Sequence, residues 1–256
     1  MLPVQAVLFD VNGTLVDIIT DEQHDRVYRA IGHLLAYSGI HASPGHVRDT
    51  YFATVDDLLE QSPEEYPEFD AVAVWHAVID RLATAYTRSL PGDRLEQLPL
   101  FLAQAHRGLA RRRLRRFPRV RGVLNELRSR YRLGVVTDAQ RAYARPELDE
   151  LGLLDYFDPI VVSGELGFRK PDKRMFATAL DVLAVDPGHA VYVGNDIFRD
   201  IHGARQAGLS TVLYAPDGER DTGREGACTP DHVITDHRQL VTLLASGDIA
   251  KQSTST

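Results

Sequence analysis

The sequence predicts an α/β fold, a doubly wound and mostly parallel sheet with an inserted all-helical cap domain. Three observations predict it. Val7-Leu8-Phe9-Asp10 is an apolar run of strand type that stops at an acid and the turn Val11-Asn12-Gly13-Thr14. From residue 117 onward, short β-rich runs alternate with helical patterns, the rhythm of βαβ units. Between these parts, residues 18–116 carry helical periodicity and no strand pattern.

Each element has its own signal. Residues 4–9 read as the first strand. Val27, Ala30, Ile31, Leu34 and Leu35 recur at helical spacing from Asp21 to Leu35, and Gly39 and Ser43-Pro44-Gly45 end that helix. His46–Leu59 reads as a second helix, and the acidic, proline-bearing stretch Gln61–Asp70 as a loop. Ala71–Arg88 puts Val74, Val78, Leu82 and Ala85 on one helical face, Pro91–Leu95 breaks it, and Leu98–Leu114 forms a last helix. Trp75, Tyr28, Tyr86 and Phe101 are expected in the core of this block. Beyond it, strands are expected at 133–137, 160–163, 190–194, 211–214 and 232–234. Helices are expected at 121–130, 144–152, 172–183, 200–207 and 239–245. The division that follows is a core domain of residues 1–17 and 117–245, a helical cap of residues 18–116, and a disordered tail of residues 246–256. The loop Pro216–Pro230 is expected to be mobile.

Composition sets the outer bounds. At 256 residues the chain can bury one large core or two smaller ones. A net charge of −7 argues against nucleic acid as the main partner. The single cysteine, Cys228, excludes an internal disulfide and suits a reducing compartment. No stretch approaches a membrane span, so a soluble, cytoplasmic protein is expected. The ten histidines show no zinc-type spacing. Seven arginines fall between Arg111 and Arg121. They read as the solvated face of a helix and its linker, or as a recruiting patch for an anion.

Four stretches carry polar residues in places that suit a site, the first, second and fourth where apolar strands run out and the third where a helix begins. They are Asp10-Val11-Asn12-Gly13-Thr14, Thr137-Asp138, Arg169-Lys170-Pro171-Asp172, and Gly194-Asn195-Asp196 with Asp200. In a parallel α/β sheet, ligands bind at the carboxyl ends of the strands. Taken in order, the four resemble the motifs of the haloacid dehalogenase superfamily of hydrolases, over residues 1–17 and 117–245.

The resemblance implies a Rossmann-like core with a cap, and it assigns roles by position. Asp10 would be the nucleophile of an aspartyl-ester mechanism. Thr14, Thr137, Asp138 and Lys170 would contact the phosphoryl group, with Lys170 offsetting its charge. A Mg²⁺ ion would be held by Asp10, Asn12, Asp196 and Asp200, with Asn195 the alternative to Asp196. Asp200 is a ligand or a partner that orients Lys170. The substrate would be a small phosphorylated metabolite. The oligomeric state is not legible.

Position 12 departs from the resemblance, because phosphatases of the family read Asp-x-Asp where this chain reads Asp10-Val11-Asn12. Asn cannot titrate, so the proton-handling group, worth about 10²- to 10⁴-fold, is missing. Three readings follow: a slow or specialised Mg²⁺-dependent phosphatase, a dehalogenase-like hydrolase acting on carbon, or a non-catalytic anion binder. The first is the expectation taken forward. Asn12 counts among the catalytic positions on that reading.

Overall fold

The structure is a computed structural model that describes residues 3–218, 228–247 and 249. Ala6–Phe9 (β1) has all four side chains buried, with Val7 and Phe9 on one face and Ala6 and Leu8 on the other. It lies at the middle of a sheet completed by Arg132–Thr137 (β4), Ile160–Val162 (β5), Ala190–Gly194 (β6), Ser210–Tyr214 (β7) and His232–Ile234 (β8). Among the described residues the strand order is β5-β4-β1-β6-β7-β8, and every pair is parallel.

A strand buried on both faces needs helices on both. One layer is Val120–Leu127 (α6), Ala144–Glu150 (α7) and His237–Ser246 (α11), packed on the Val7, Phe9 and Val193 side. The other is Lys173–Leu183 (α9) with Gly203–Gln206 (α10), packed on Leu8, Val136 and Tyr192. The order of strands reverses between β1 and β6, which puts Asp10 at the switch point where such sheets bind ligands.

The segment between β1 and β4 differs from the sequence reading at both ends. Val16–Thr20 (β2) and Arg111–Arg116 (β3) pair antiparallel, with Asp17 opposite Arg115 and Ile18 opposite Leu114. Neither was visible as a strand, because the arginine run has no apolar alternation to read. Charge pairing holds it: Asp17 takes Arg113 and Arg115 at 2.6 and 2.8 Å, and Asp21 takes Arg112 at 2.6 Å. Arg111–Arg116 of the run is therefore a paired strand and not a helix face, while Arg121 lies on α6.

The helices of the insertion lie between these strands, as Asp25–Ala36 (α1), Pro44–Glu60 (α2), Ala71–Leu82 (α3), Ala85–Arg88 (α4) and Gly92–Ala110 (α5). The expected single helix Ala71–Arg88 breaks at Ala83, because Thr84 caps α4 with a reciprocal box to Thr87 and bonds Gly39 O. The last helix begins at Gly92 and keeps Pro99 inside it. Tyr28, Tyr51, Trp75, Val78 and Leu102 form a core separate from those on the sheet. Tyr86 and Phe101 are exposed and do not join it. His106 is buried at 3.1 Å from Tyr28 Oη, and burial pushes its pKa down to about 4, so it is neutral core.

At the C-terminal end, Ser246 closes α11 and Ile249 is buried, so the expected tail starts later than residue 246. Residues 248 and 250–256 of that tail, and 219–227 of the expected mobile loop, lie outside the described residues. No helix among the described residues is long and apolar enough to cross a membrane.

Candidate active site

Asp10 follows the last residue of β1, and its backbone N–H donates to Val193 O at 2.9 Å. The chain then turns back on itself: Leu15 and Val16 N–H both donate to Val11 O, and Gly13 N–H donates to Val16 O. Gly13 takes φ +85°, and a Cβ there would fall 2.6 Å from the Asn195 side-chain amide. Only glycine suits both demands. His237 pins the turn from α11, with Nε2 2.8 Å from Thr14 O. The turn therefore delivers Asp10 to a buried point, 5% exposed.

Lys170 reaches the same point from the loop before α9, wholly buried. Its ammonium donates to Asp10 Oδ1 at 2.8 Å, Asp200 Oδ1 at 2.6 Å and Tyr192 Oη at 3.2 Å, so all three protons are placed. Burial alone would lower the lysine, but Asp10 and Asp200 hold it well above its usual range. Burial pushes Asp10 up to about 7, opposed by Lys170 and reinforced by Asp200.

Asp200 is saturated. Its Oδ1 accepts from Lys170 and from Tyr192 Oη at 3.1 Å, and its Oδ2 accepts from the backbone N–H groups of Asn195 and Asp196, both at 3.0 Å. Gly194 makes room for it, since a Cβ there would lie 2.4 Å from Asp200 Cβ. Asp200 is thus placed to orient Lys170.

Asn195 and Asp196 take opposite directions. Asp196 caps the π-helical turn Ile197–His202, accepting from Phe198 and Arg199 N–H, and its other oxygen pairs with Arg199 Nε at 3.0 Å. Burial works to raise Asp196, yet the Arg199 backbone and guanidinium hold it below the usual carboxylate range. Asn195 instead faces Asp10. With Nδ2 turned inward, its amide reaches Thr14 Oγ1 at 3.1 Å, Asp10 Oδ2 at 3.2 Å and Asn12 O at 3.0 Å. The reverse orientation would set an amide oxygen against the same acceptors, relieved only by the Thr14 hydroxyl.

Thr137, at the end of β4, is buried, and its hydroxyl has no hydrogen-bond partner among the described residues. A buried orphan hydroxyl one strand from Asp10 is a donor available to a bound group. Asp138, an expected phosphate contact, also has a structural part. Its Oδ1 accepts from the Lys170 backbone N–H at 3.0 Å, which fixes the lysine loop. Burial, partly offset by Lys170, raises Asp138. Asn12 bridges to Val16 and lines a narrow slot with Thr137, Ala139 and Leu148.

The expected Mg²⁺ ligands therefore converge only in part: Asp10 Oδ2, Asn12 O and the Asn195 amide meet at one point, whereas Asp196 and Asp200 are engaged elsewhere. Among the described residues no three acids, histidines or cysteines gather as a cation site. Asp200 is filled by donors, Asp196 is turned to Arg199, and Asn12 and Asn195 carry no charge. Mg²⁺ is held through carboxylates and waters, and of the expected ligands only Asp10 offers a carboxylate not already filled by donors or committed to Arg199. The donor set does not fit the ion.

Tyr192 was not anticipated. Its hydroxyl accepts from Lys170 and shares its one proton between Val136 O at 2.9 Å and Asp200 Oδ1 at 3.1 Å. The signal was a lone polar atom within the apolar run Val191-Tyr192-Val193. Glu68 and Gln140 were also missed. Glu68 accepts from Ser163 Oγ at 2.8 Å, and Gln140 Oε1 accepts from Ala71 N–H at the start of α3 at 2.7 Å, stitching the insertion to the sheet side. Beside Lys170 opens a cleft of about 580 Å³ lined by Tyr66, Arg169, Phe198 and Arg199.

Comparisons with known proteins bear on the fold and the family. The chain is 28% identical over 224 residues to a glyceraldehyde 3-phosphate phosphatase of Methanothermobacter thermautotrophicus, covering 85% of this chain and 89% of that one. It is 34% identical over 131 residues to a phosphoserine phosphatase of Thermus thermophilus, about half of each chain. A solved 2-haloacid dehalogenase of Pseudomonas syringae superposes with a TM-score of 0.68 at 25% identity, over 95% of this chain and 99% of that one. The family model of haloacid dehalogenase-like hydrolases matches residues 7–214, and the chain belongs to that family of enzymes.

Proposed function

We propose that the chain is a hydrolase of small phosphate monoesters that works through a covalent ester on Asp10. The Asp10–Lys170 pair carries this reading: a carboxylate at the switch point of the sheet, with a cation fixed 2.8 Å away. The Asp10 carboxylate attacks phosphorus, the bond to the leaving oxygen breaks, and that oxygen takes its proton from water because Asn12 has none to give. Water then attacks phosphorus of the aspartyl-phosphate, releasing phosphate and restoring the carboxylate. Lys170 offsets charge on the group in transfer, and the Thr137 hydroxyl donates to it. The phosphatase relatives support the substrate class. The helical insertion would act as the lid over this point.

Amides at both position 12 and position 195 favour a second reading, displacement at carbon. There Asp10 would attack a carbon bearing halide, halide would leave, and water would cleave the resulting ester. One experiment separates the two. Phosphate release is screened across small phosphorylated metabolites, and halide release across 2-haloacids, while mass spectrometry follows Asp10. A phosphoryl adduct on Asp10 that disappears in Asp10→Asn, with phosphate release, supports the first reading. Halide release with no phosphate release replaces it by the second. Neither adduct nor turnover leaves a non-catalytic binder.

A further inference from the structure

We propose that the Asn195 amide takes the place of a divalent cation in this chain, so that the Asp10 site is built to work without one. Three oxygens from two segments of the turn converge on one point: Asp10 Oδ2, Asn12 O and Thr14 Oγ1 lie 3.2, 3.0 and 3.1 Å from the inward atom of the Asn195 amide. Oxygens gathered in this way need something positive between them. A metal ion could supply that, and so can an NH₂ group, which has two protons for them to share while Thr14 adds its own. The acids nearby decide between the two. Asp200 has both oxygens occupied by four donors, and Asp196 is committed to Arg199 and to the start of the π-helical turn. A cation at that point would meet one carboxylate, Asp10, which already pairs with Lys170.

The amide also has no freedom to leave. The backbone N–H of Asn195 is held by Asp200, and Gly13 packs against the side chain so closely that a Cβ would overlap it. The consequence for chemistry is that, among the described residues, Lys170 is the one cation paired with Asp10, so charge on the group in transfer is offset there by the lysine rather than by a metal. That consequence rests on Asp10 being the reacting carboxylate. The cation-binding claim does not, and it is measured without turnover.

The test uses the full-length protein and Mn²⁺ as a paramagnetic probe, with binding followed by electron paramagnetic resonance. The unaltered chain should leave the free Mn²⁺ signal intact up to about 1 mM, whereas Asn195→Asp, which supplies a second carboxylate, should bind one ion at least about tenfold more tightly. Asp10→Asn should remove that gain. One ion bound by the unaltered chain below about 1 mM, and lost in Asp10→Asn, would overturn the proposal. So would an Asn195→Asp protein that folds and gains no site.

A second measurement needs no variant. The Asn195 side-chain NH₂ should give protected amide resonances that Mg²⁺ does not move. Displacement of those resonances by Mg²⁺ would mean that the amide oxygen turns inward to an ion, and the proposal would fall.

Discussion

The Lys170 ammonium stands 2.8 Å from the Asp10 carboxylate, and both side chains are almost closed to solvent. A buried ion pair contributes little net stability, but losing one partner leaves a charge stranded, at a cost of about 3–5 kcal/mol. The pair is better understood as a setting for Asp10. Burial drives the acid up to about 7, and Lys170 limits the rise.

The first prediction is a pH profile. Asp10 must be ionised to attack, so kcat/KM should rise as pH increases through about 7 and fall away below it. Removing the lysine removes the group that lowers the acid, so in Lys170→Met the limb should move to higher pH. Rate measurements across pH on the folded variant check this. A limb that stays in place would detach Lys170 from Asp10.

Tyr192→Phe tests the buried hydroxyl. It removes the bond to Val136 O and one support each from Lys170 and Asp200. Stability should fall by about 1–3 kcal/mol, because a carbonyl is left buried and unpaired. As a positioning residue, Tyr192 should affect kcat more than KM. Urea unfolding and steady-state kinetics read the two effects separately.

Gly194→Ala is the steric test. The added methyl would lie 2.4 Å from Asp200 Cβ and Cγ, so the acid or the strand must shift. A loss of about 1–3 kcal/mol is expected from overpacking, with activity lost alongside it. Gly122→Ala is the control, since nothing lies within 4 Å of its added methyl and the position is inside α6. That change should stabilise by about 0.5–1 kcal/mol. Denaturant midpoints for the two should move in opposite directions.

The sheet was legible because its strands obey a simple rule. A strand buried on both faces, like Ala6–Phe9 or Ala190–Gly194, must be apolar throughout, and its end shows where polar residues begin. The same rule located Asp10 and Thr137, while Lys170 was read from the Lys170-Pro171-Asp172 entry to a helix. The ribbon of Val16–Thr20 and Arg111–Arg116 obeys a different one. Its partner lies about a hundred residues away and its attraction is charge, so no local pattern announces it. The choice between Asn195 and Asp196 was also beyond reach. Both follow the same strand, and only the turn that Asp196 caps decides which one faces Asp10. Glu68 was hidden for a third reason, since an acid in an acidic loop looks like solvent-facing charge until Ser163 and Gln140 meet it.

Glu68 is the place to test whether the insertion moves. Its carboxylate joins Ser163 and Gln140, its backbone N–H donates to Gly167 O, and Arg169 N–H donates to Tyr66 O. Glu68→Ala removes the side-chain part of that latch and keeps the backbone part. Deuterium uptake across residues 61–70 should rise, and binding of a phosphate analogue such as vanadate should lower it again. Uptake unchanged in both comparisons would speak against a lid hinged on this loop.

Position 12 carries the largest expected gain. Asn12 follows Asp10 by two residues and shares its slot with Thr137, whose hydroxyl is the donor proposed for the group being transferred. On a phosphate ester with a poor leaving group, Asn12→Asp should raise turnover by about tenfold or more, within the roughly 10²–10⁴ that a placed general acid–base supplies. A leaving group of low pKa, such as p-nitrophenolate, departs without a proton. For that substrate the gain should come from the second step, and the aspartyl-phosphate should build up in the unaltered chain and vanish in the variant. Rapid-quench measurement of protein-bound phosphate distinguishes the two steps. Asp10→Asn should abolish the intermediate in either background, because it removes the attacking oxygen. If Asn12→Asp leaves every phosphate ester untouched while 2-haloacids still release halide, the carbon-directed reading stands in its place.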